Sequence, residues 1–164
     1  MHSVRVSRVL PYAPRELFAL VGGVEAYPEF VPWVTGLRVW NRQAPKDGLS
    51  TLDAEAEVGF AFVKEKFATR VRLDEPDLTI TVGLLYGPFR TLRNRWRFLP
   101  EAEGTKVEFE IDFAFKSRIL DALLAVNMRA AAEKLIACFE ERAKALHGEG
   151  AASPAAPAAS QAPS

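Results

Sequence analysis

Residues 117–146 read SRILDALLAVNMRAAAEKLIACFEERAKAL, and the rest of the chain is organised around them. Leu120, Leu123, Leu124, Met128, Ala131, Leu135, Phe139 and Leu146 recur at steps of mostly three and four, which places them on one stripe of a 3.6-residue helix. Arg118, Asp121, Arg129, Glu133, Glu140, Glu141 and Lys144 fall on the opposite face. Ser117 is a suitable N-cap. Gly148 can end the helix, with His147 near the negative end of its dipole. At a rise of ~1.5 Å per residue the stretch predicts one rod of about 45 Å. A helix that long with a single apolar stripe must lie across something broad and apolar.

Upstream residues supply that surface. Leu52, Ala54, Ala56 and Val58 alternate with Asp53, Glu55 and Glu57. Phe67, Thr69, Val71 and Leu73 alternate with Lys64, Lys66, Arg70 and Arg72. Leu78, Ile80, Val82 and Leu84 mark another strand after the Glu75-Pro76-Asp77 turn. Beyond Gly87-Pro88, the residues Leu92, Asn94, Trp96 and Phe98 alternate with Thr91, Arg93, Arg95 and Arg97. Val107, Phe109, Ile111, Phe113 and Phe115 close the series against Lys106, Glu108, Glu110 and Asp112. Period-two patterning with short turns predicts an antiparallel sheet with one wet face. The three arginines invite a phosphate- or RNA-binding reading. The acidic residues that follow favour a cross-strand charge ladder instead.

The chain opens with a strand over Ser3–Leu10, then a short helix over Arg15–Val21 with Pro14 at its first turn. Gly22-Gly23 breaks it, and a second short helix over Val24–Phe30 is limited by Pro32. A further strand opens at Leu37 and ends near Gln43. Ala44 to Gly48 is a turn by composition. The economical packing is α+β: a curved antiparallel sheet of about seven strands around a long C-terminal helix, with the short helices closing one end.

Composition bounds the function. A chain of 164 residues, 49% of them hydrophobic, suggests one domain over residues 1–147 with a sizeable core. Residues 148–164, rich in Ala, Pro and Ser, are expected to form a disordered tail. The formal net charge is zero, so no DNA partner is expected. The one cysteine, Cys138, fits a reducing cytoplasm and reads as a small buried hydrophobe. His2 and His147 sit at the chain ends with no Cys, Asp or Glu at metal spacing, so no metal site is expected. There is no G-x-S-x-G motif and no phosphate-cradling glycine loop. Glu55, Glu57, Glu108 and Glu110 point to the wet face by alternation. No catalytic residues are assigned, and an enzyme is the weaker reading.

The inward list is heavy in Phe67, Trp96, Phe98, Phe109, Phe113 and Phe115, opposite Ala131 and Ala132 at the middle of the helix. Large rings facing small residues either interdigitate into a solid core or leave a hollow. Asn94, on the inward face of its strand, and Asn127, near the helix stripe, raise the same question. Each is a satisfied core amide or faces a ligand.

One further observation favours the hollow. Tyr12-Ala13-Pro14-Arg15-Glu16-Leu17-Phe18-Ala19-Leu20-Val21, followed by Val24-Glu25-Ala26-Tyr27-Pro28-Glu29-Phe30-Val31-Pro32-Trp33, resembles the N-terminal signature of the coenzyme Q-binding START-domain proteins. Gly87-Pro88-Phe89 with Leu92, Trp96 and Phe98 resembles a second signature. Phe109 to Phe115 with the following helix resembles a third. The resemblance spans about residues 3–146. It departs at Gly23, where the family usually has Asp, and at Val34, where it often has Cys.

What the resemblance implies is a helix-grip fold of the START and birch-pollen-allergen kind, within the polyketide cyclase superfamily. It implies a tunnel between sheet and helix holding ubiquinone or a similar prenylated lipid, no catalytic cofactor, and support of respiratory electron transport without catalysis. By the same resemblance Tyr27, Phe30, Val31, Pro32 and Trp33 form a lid and entrance, Pro88, Phe89 and Leu92 the facing loop, Trp96 lines the interior, and Leu120 and Leu124 press from the helix; Phe67, Asn94 and Asn127 join the candidate ligand-binding residues from the inward pattern and the helix stripe. The expected location is cytoplasmic, with peripheral contact at the inner membrane or respiratory complexes. The family's bacterial branch includes toxins that block ribosomal subunit association. A ribosome-directed protein with a footprint at Arg90, Arg93, Arg95 and Arg97 is therefore the alternative, and an aromatase- or cyclase-like enzyme the third reading.

Overall fold

A computed structural model describes residues 1–60 and 63–148, apart from the side chains of residues 60 and 63. The stretch expected to be a disordered tail lies outside the described residues from 149 onward. Seven antiparallel strands form one sheet: β1 (His2–Leu10), β2 (Val34–Lys46), β3 (Leu49–Phe60), β4 (Val63–Asp74), β5 (Thr79–Tyr86), β6 (Phe89–Glu101) and β7 (Gly104–Phe115). Their order is β1-β7-β6-β5-β4-β3-β2. Consecutive strands β2 to β7 thus pair as hairpins, and β1 adds to the free edge of β7. Strands of 12 or 13 residues are long enough for twist to accumulate into curvature. Register shifts in the β2–β3 pair bend that end further.

The turn between β2 and β3 is tighter than composition predicts. Lys46 pairs with Leu49, leaving only Asp47 (φ 55°) and Gly48 (φ 80°) as a two-residue loop. Both left-handed residues suit a primed turn, for which Asp-Gly is a preferred pair. Gly87 (φ 147°) has a different reason: a Cβ there would lie 2.5 Å from the Cβ of Phe67.

The inward residues of alternation form the core. Leu52, Val71, Ile80, Trp96, Phe98, Phe109 and Phe113 are all buried. The outer face carries the charge ladder. Arg93, Arg95 and Arg97 stand opposite Asp112, Glu110 and Glu108, with Arg95 to Glu110 at 3.0 Å and Arg97 to Glu108 at 3.5 Å.

The C-terminal stretch differs from the single rod predicted. It forms α3 (Arg118–Ala125), capped by the Ser117 hydroxyl accepting from the Leu120 amide at 3.2 Å, and α4 (Met128–His147). Gly148 (φ 80°) ends α4. The break falls at Val126-Asn127. Neither residue favours a helix interior, Val because its branched side chain crowds the preceding turn, Asn because its amide competes for backbone groups. Here the Asn127 side chain donates to the Leu123 carbonyl at 3.3 Å, and its backbone N–H turns to Leu124 at 3.1 Å.

The break also redistributes the stripe. Leu123 and Leu146 are exposed, whereas Ala132, Ile136, Phe139 and Ala143 form the buried row of α4. Apolar spacing continued through the break and so concealed it. Asn127 is correspondingly an exposed amide bonded to backbone at the junction, not a buried one.

Before the long strands, α1 (Pro14–Gly22), a 3-10 turn (Val24–Ala26) and α2 (Tyr27–Phe30) cover one end. α1 seats Leu17 and Val21 inward.

Candidate ligand-binding cavity

Sheet and helices do not meet everywhere. Between them lies a cavity of about 400 Å³, walled almost wholly by apolar side chains. A void that large is far outside the packing of ordinary interiors, where holes bigger than a water molecule are few. It sits within the roughly 300–1,000 Å³ typical of small-molecule sites.

Its origin is the size of the facing residues. β3 contributes Ala54 and Ala56 to the wall, and the start of α4 contributes Ala130, Ala131 and Ala132. Methyl groups on both sides leave a space that no ring enters. The floor is aromatic: Trp96 lies edge-on to Phe109 (centroids 4.8 Å, 75°) and to Phe139 (5.4 Å, 84°). Phe67 meets Phe89 edge-on at 5.3 Å, and Phe89 stacks on Phe115 at 4.6 Å. The mouth is marked by wall residues that are also exposed, Asn127, Ala130 and Lys134, with Glu65 of β4 half-buried.

The polar groups of the wall are few and mostly spoken for. Asn94 donates to the Glu110 carbonyl at 2.8 Å and accepts from the Trp96 indole N–H at 3.0 Å. Its amide fixes the Trp96 rotamer and satisfies a strand carbonyl, so the satisfied-amide reading applies. The Tyr27 hydroxyl donates to the Val21 carbonyl, and burial raises the phenol far above its usual range, so the ring is neutral at any physiological pH. Glu65 and Lys134 are the charged wall residues, and both belong to the rim. Among the described residues no group of three or more His, Cys, Asp or Glu is placed to hold a metal. His2 pairs instead with Asp121 at 2.7 Å, and His147 approaches Glu16 at 3.6 Å. Burial raises the Cys138 thiol as well.

The structure gathers Tyr27, Trp33, Phe67, Pro88, Phe89, Leu92, Asn94, Trp96, Leu124 and Asn127 around one cavity. Four other expected residues lie off its wall. Val31 is fully buried. Phe30 packs on Tyr27 and Phe139, with the Arg142 guanidinium over its ring at 5.0 Å. Pro32 is exposed, and Leu120 packs against the core. Sequence reasoning missed the alanines of β3, and it missed Met128, Leu135 and Lys134 as wall residues. Ala131 and Ala132 pointed to a hollow from the sequence, whereas the alanines of β3 did not, because alternation gives the face of a residue and not the distance to the layer opposite.

The outer side of that thin wall is braced. Asp53 is only 4% exposed although alternation puts it on the wet face. Its carboxylate accepts from Arg70 Nε at 2.8 Å and Nη2 at 3.1 Å, and from Asn41 Nδ2 at 3.0 Å. Asn41 reaches it from a left-handed conformation (φ 56°) where the β2–β3 register shifts. The Arg70 hydrogen bond is the main reason the Asp53 carboxyl is held below the ordinary carboxylate range.

Comparison with known proteins agrees with this architecture. Residues 10–140 match the family model described as polyketide cyclase / dehydrase and lipid transport. The chain is 33% identical over 147 residues to the ribosome association toxin RatA of Rickettsia prowazekii, covering 88% of this chain and 97% of that protein. It is 32% identical over 145 residues to the mitochondrial coenzyme Q-binding protein coq10 of Schizosaccharomyces pombe, covering 87% of each. An 18 kDa protein of Caulobacter crescentus, solved in solution, is 61% identical and superposes with a TM-score of 0.78 over 90% of this chain and 99% of its own.

Proposed function

The chain belongs to the polyketide cyclase / dehydrase and lipid transport family, with the START-like fold, and we propose that it is a non-catalytic carrier of a prenylated quinone held between sheet and C-terminal helices. The observation that carries this reading is the apolar hollow of about 400 Å³ with an aromatic floor at Trp96 and a mouth at the helix junction. A flat quinone ring suits a floor made of ring edges. Each five-carbon isoprenoid unit removed from water gains about 4 kcal/mol at ~0.8 kcal/mol per carbon. A bilayer offers a similar gain, so exchange between the two is close to neutral, as transport needs. The volume admits the head and a few units, and the rest of a long tail stays at the mouth. Similarity to a protein named for binding coenzyme Q supports this ligand class.

The test is extraction of the full chain, purified from a quinone-producing bacterium, with organic solvent followed by mass spectrometry. A prenylated quinone at near-stoichiometric amount is expected. Repeated lipid-free preparations would overturn the reading.

The similarity to a ribosome association toxin favours a second reading, binding to the large ribosomal subunit. Arg95 and Arg97 are ion-paired with Glu110 at 3.0 Å and Glu108 at 3.5 Å, so its footprint contracts to Arg90 and to Arg93, which stands opposite Asp112 in the register. Co-sedimentation with large subunits, lost on Arg90→Glu with Arg93→Glu, would establish it. For a cyclase reading the titratable wall groups on offer are Tyr27, Glu65 and Lys134, and conversion of a supplied polyketide would be its sign.

A further inference from the structure

The exposed large apolar side chains of the described residues are not evenly scattered. Ile119, Leu123 and Val126 follow one another at steps of four and three along α3 and its C-cap, and Ile119 and Val126 are each 79% exposed. That spacing puts all three on one face. The same helix turns Leu120 and Leu124 to the core, and Leu124 belongs to the cavity wall. α3 is therefore apolar on two faces, and its outer one meets solvent. Its base is fixed at the cavity rim, where the Lys116 N–H donates to the Pro88 carbonyl at 2.8 Å.

Charge flanks the stripe with one sign. Lys116 and Arg118 stand at the start and Arg129 just beyond the junction, all exposed, with one Arg129 nitrogen donating to the Arg5 carbonyl at 3.0 Å. The single carboxylate of residues 116–129, Asp121, is engaged by the Phe115 N–H at 3.0 Å and by His2 at 2.7 Å. An apolar stripe bordered by cations, beside the opening of an apolar cavity, matches an anionic lipid surface. A second copy of the chain fits less well, because a twofold pairing through this stripe would bring both sets of cations together.

We propose that α3 docks the protein on an anionic bilayer. Ile119, Leu123 and Val126 enter the boundary between headgroups and acyl chains, and Lys116, Arg118 and Arg129 meet the lipid phosphates. The cavity mouth beside Leu124 and Asn127 then faces the lipid. The proposal rests on the carrier reading for its purpose, while the surface itself stands on the stripe and its charges. Three apolar side chains make a reversible attachment, and each cation near an anionic surface adds about five-fold.

Flotation of the full chain with vesicles tests this. The chain should float with phosphatidylcholine vesicles containing phosphatidylglycerol, and less as salt is raised. Ile119→Glu combined with Val126→Glu should lower the bound fraction roughly ten-fold or more. Both sites are so exposed that folding should be unaffected. Lys116→Glu with Arg118→Glu should remove the preference for anionic over neutral vesicles. The quinone extracted from all variants should equal that of the unaltered chain. Failure of the unaltered chain to float overturns the proposal, as does equal flotation of the Ile119→Glu, Val126→Glu variant. A dimer in solution that Val126→Glu dissolves also overturns it, in favour of a second copy. A chain that floats but yields no quinone supports the docking and defeats the carrier reading. One that yields quinone without floating does the reverse.

Discussion

The two ends of the space between sheet and helix are built from the same layers, yet one is solid and the other hollow. At the closed end Ile136, Phe139 and Ala143 of α4 are nearly inaccessible. The Phe139 ring there fills the interval among Tyr27, Phe30 and Trp96, with centroid distances of 5.3, 5.3 and 5.4 Å. At the other end alanines of β3 and of α4 line an open cavity. Both ends are apolar. The difference shows that side-chain reach and the path of the helix, rather than hydrophobicity, decide whether two layers form a core or a container.

The strongest way to break the comparison is to empty the solid end. Phe139→Ala should cost about 3–5 kcal/mol of unfolding free energy. Leu124→Ala at the hollow end should cost less than about 2 kcal/mol, because its neighbours already border a void and there is little packing to lose. Equal losses in denaturant unfolding would mean that the hollow collapses in solution.

Asn94 joins the two ends through its bond to Trp96. Asn94→Leu leaves the Glu110 carbonyl and the Trp96 N–H without their partner and should cost about 1–3 kcal/mol. Near-UV circular dichroism should report a Trp96 that has lost its fixed orientation.

A subtler difference concerns the outside of the hollow wall, where the Asp53–Arg70–Asn41 cluster stands behind small inward residues. The Asp53 carboxyl is held below its ordinary value in the folded state. Its contribution is thus fully present above the unfolded carboxyl's titration, near pH ~4, and fades as pH falls through the lower folded value. Asp53→Asn should lower thermal stability at neutral pH, and the gap to the unaltered chain should narrow on acidification. A gap that stays constant with pH would remove the charge from the explanation.

Ala131→Phe should change stability least, by no more than about 1 kcal/mol in either direction, since the ring enters space already open. It should nevertheless abolish quinone retention. A large destabilisation would show that the hollow is narrower than its walls imply.

The period-two runs from Leu52 to Phe115 were enough to read five of the seven strands and their hairpin order, because alternation has one geometric meaning when one face is buried. Trp96, Phe109 and Phe113 were readable as core for the same reason. The charge ladder followed from the register that hairpins impose, with Arg95 and Glu110 in contact as expected. The helix break was not readable. The apolar spacing at Leu120, Leu124, Met128, Ala131 and Leu135 runs through Val126-Asn127 without a change of phase, and only local propensity marks the site. Asp53 escaped for another reason: its burial depends on Arg70 and Asn41 folding over it from neighbouring strands.

The chain's own residue order determined the strands of the period-two runs, the apolar face of each, and the resemblance carried by Tyr12 to Trp33 and Gly87 to Phe98. The tertiary structure alone decided that alanines of β3 and α4, distant in sequence, line one void, that Leu124 borders it while Ile119 and Val126 face outward, and that Phe139 fills one end. Periodicity specifies direction within one element, whereas a void is a distance between two elements, and no single stretch of sequence contains it.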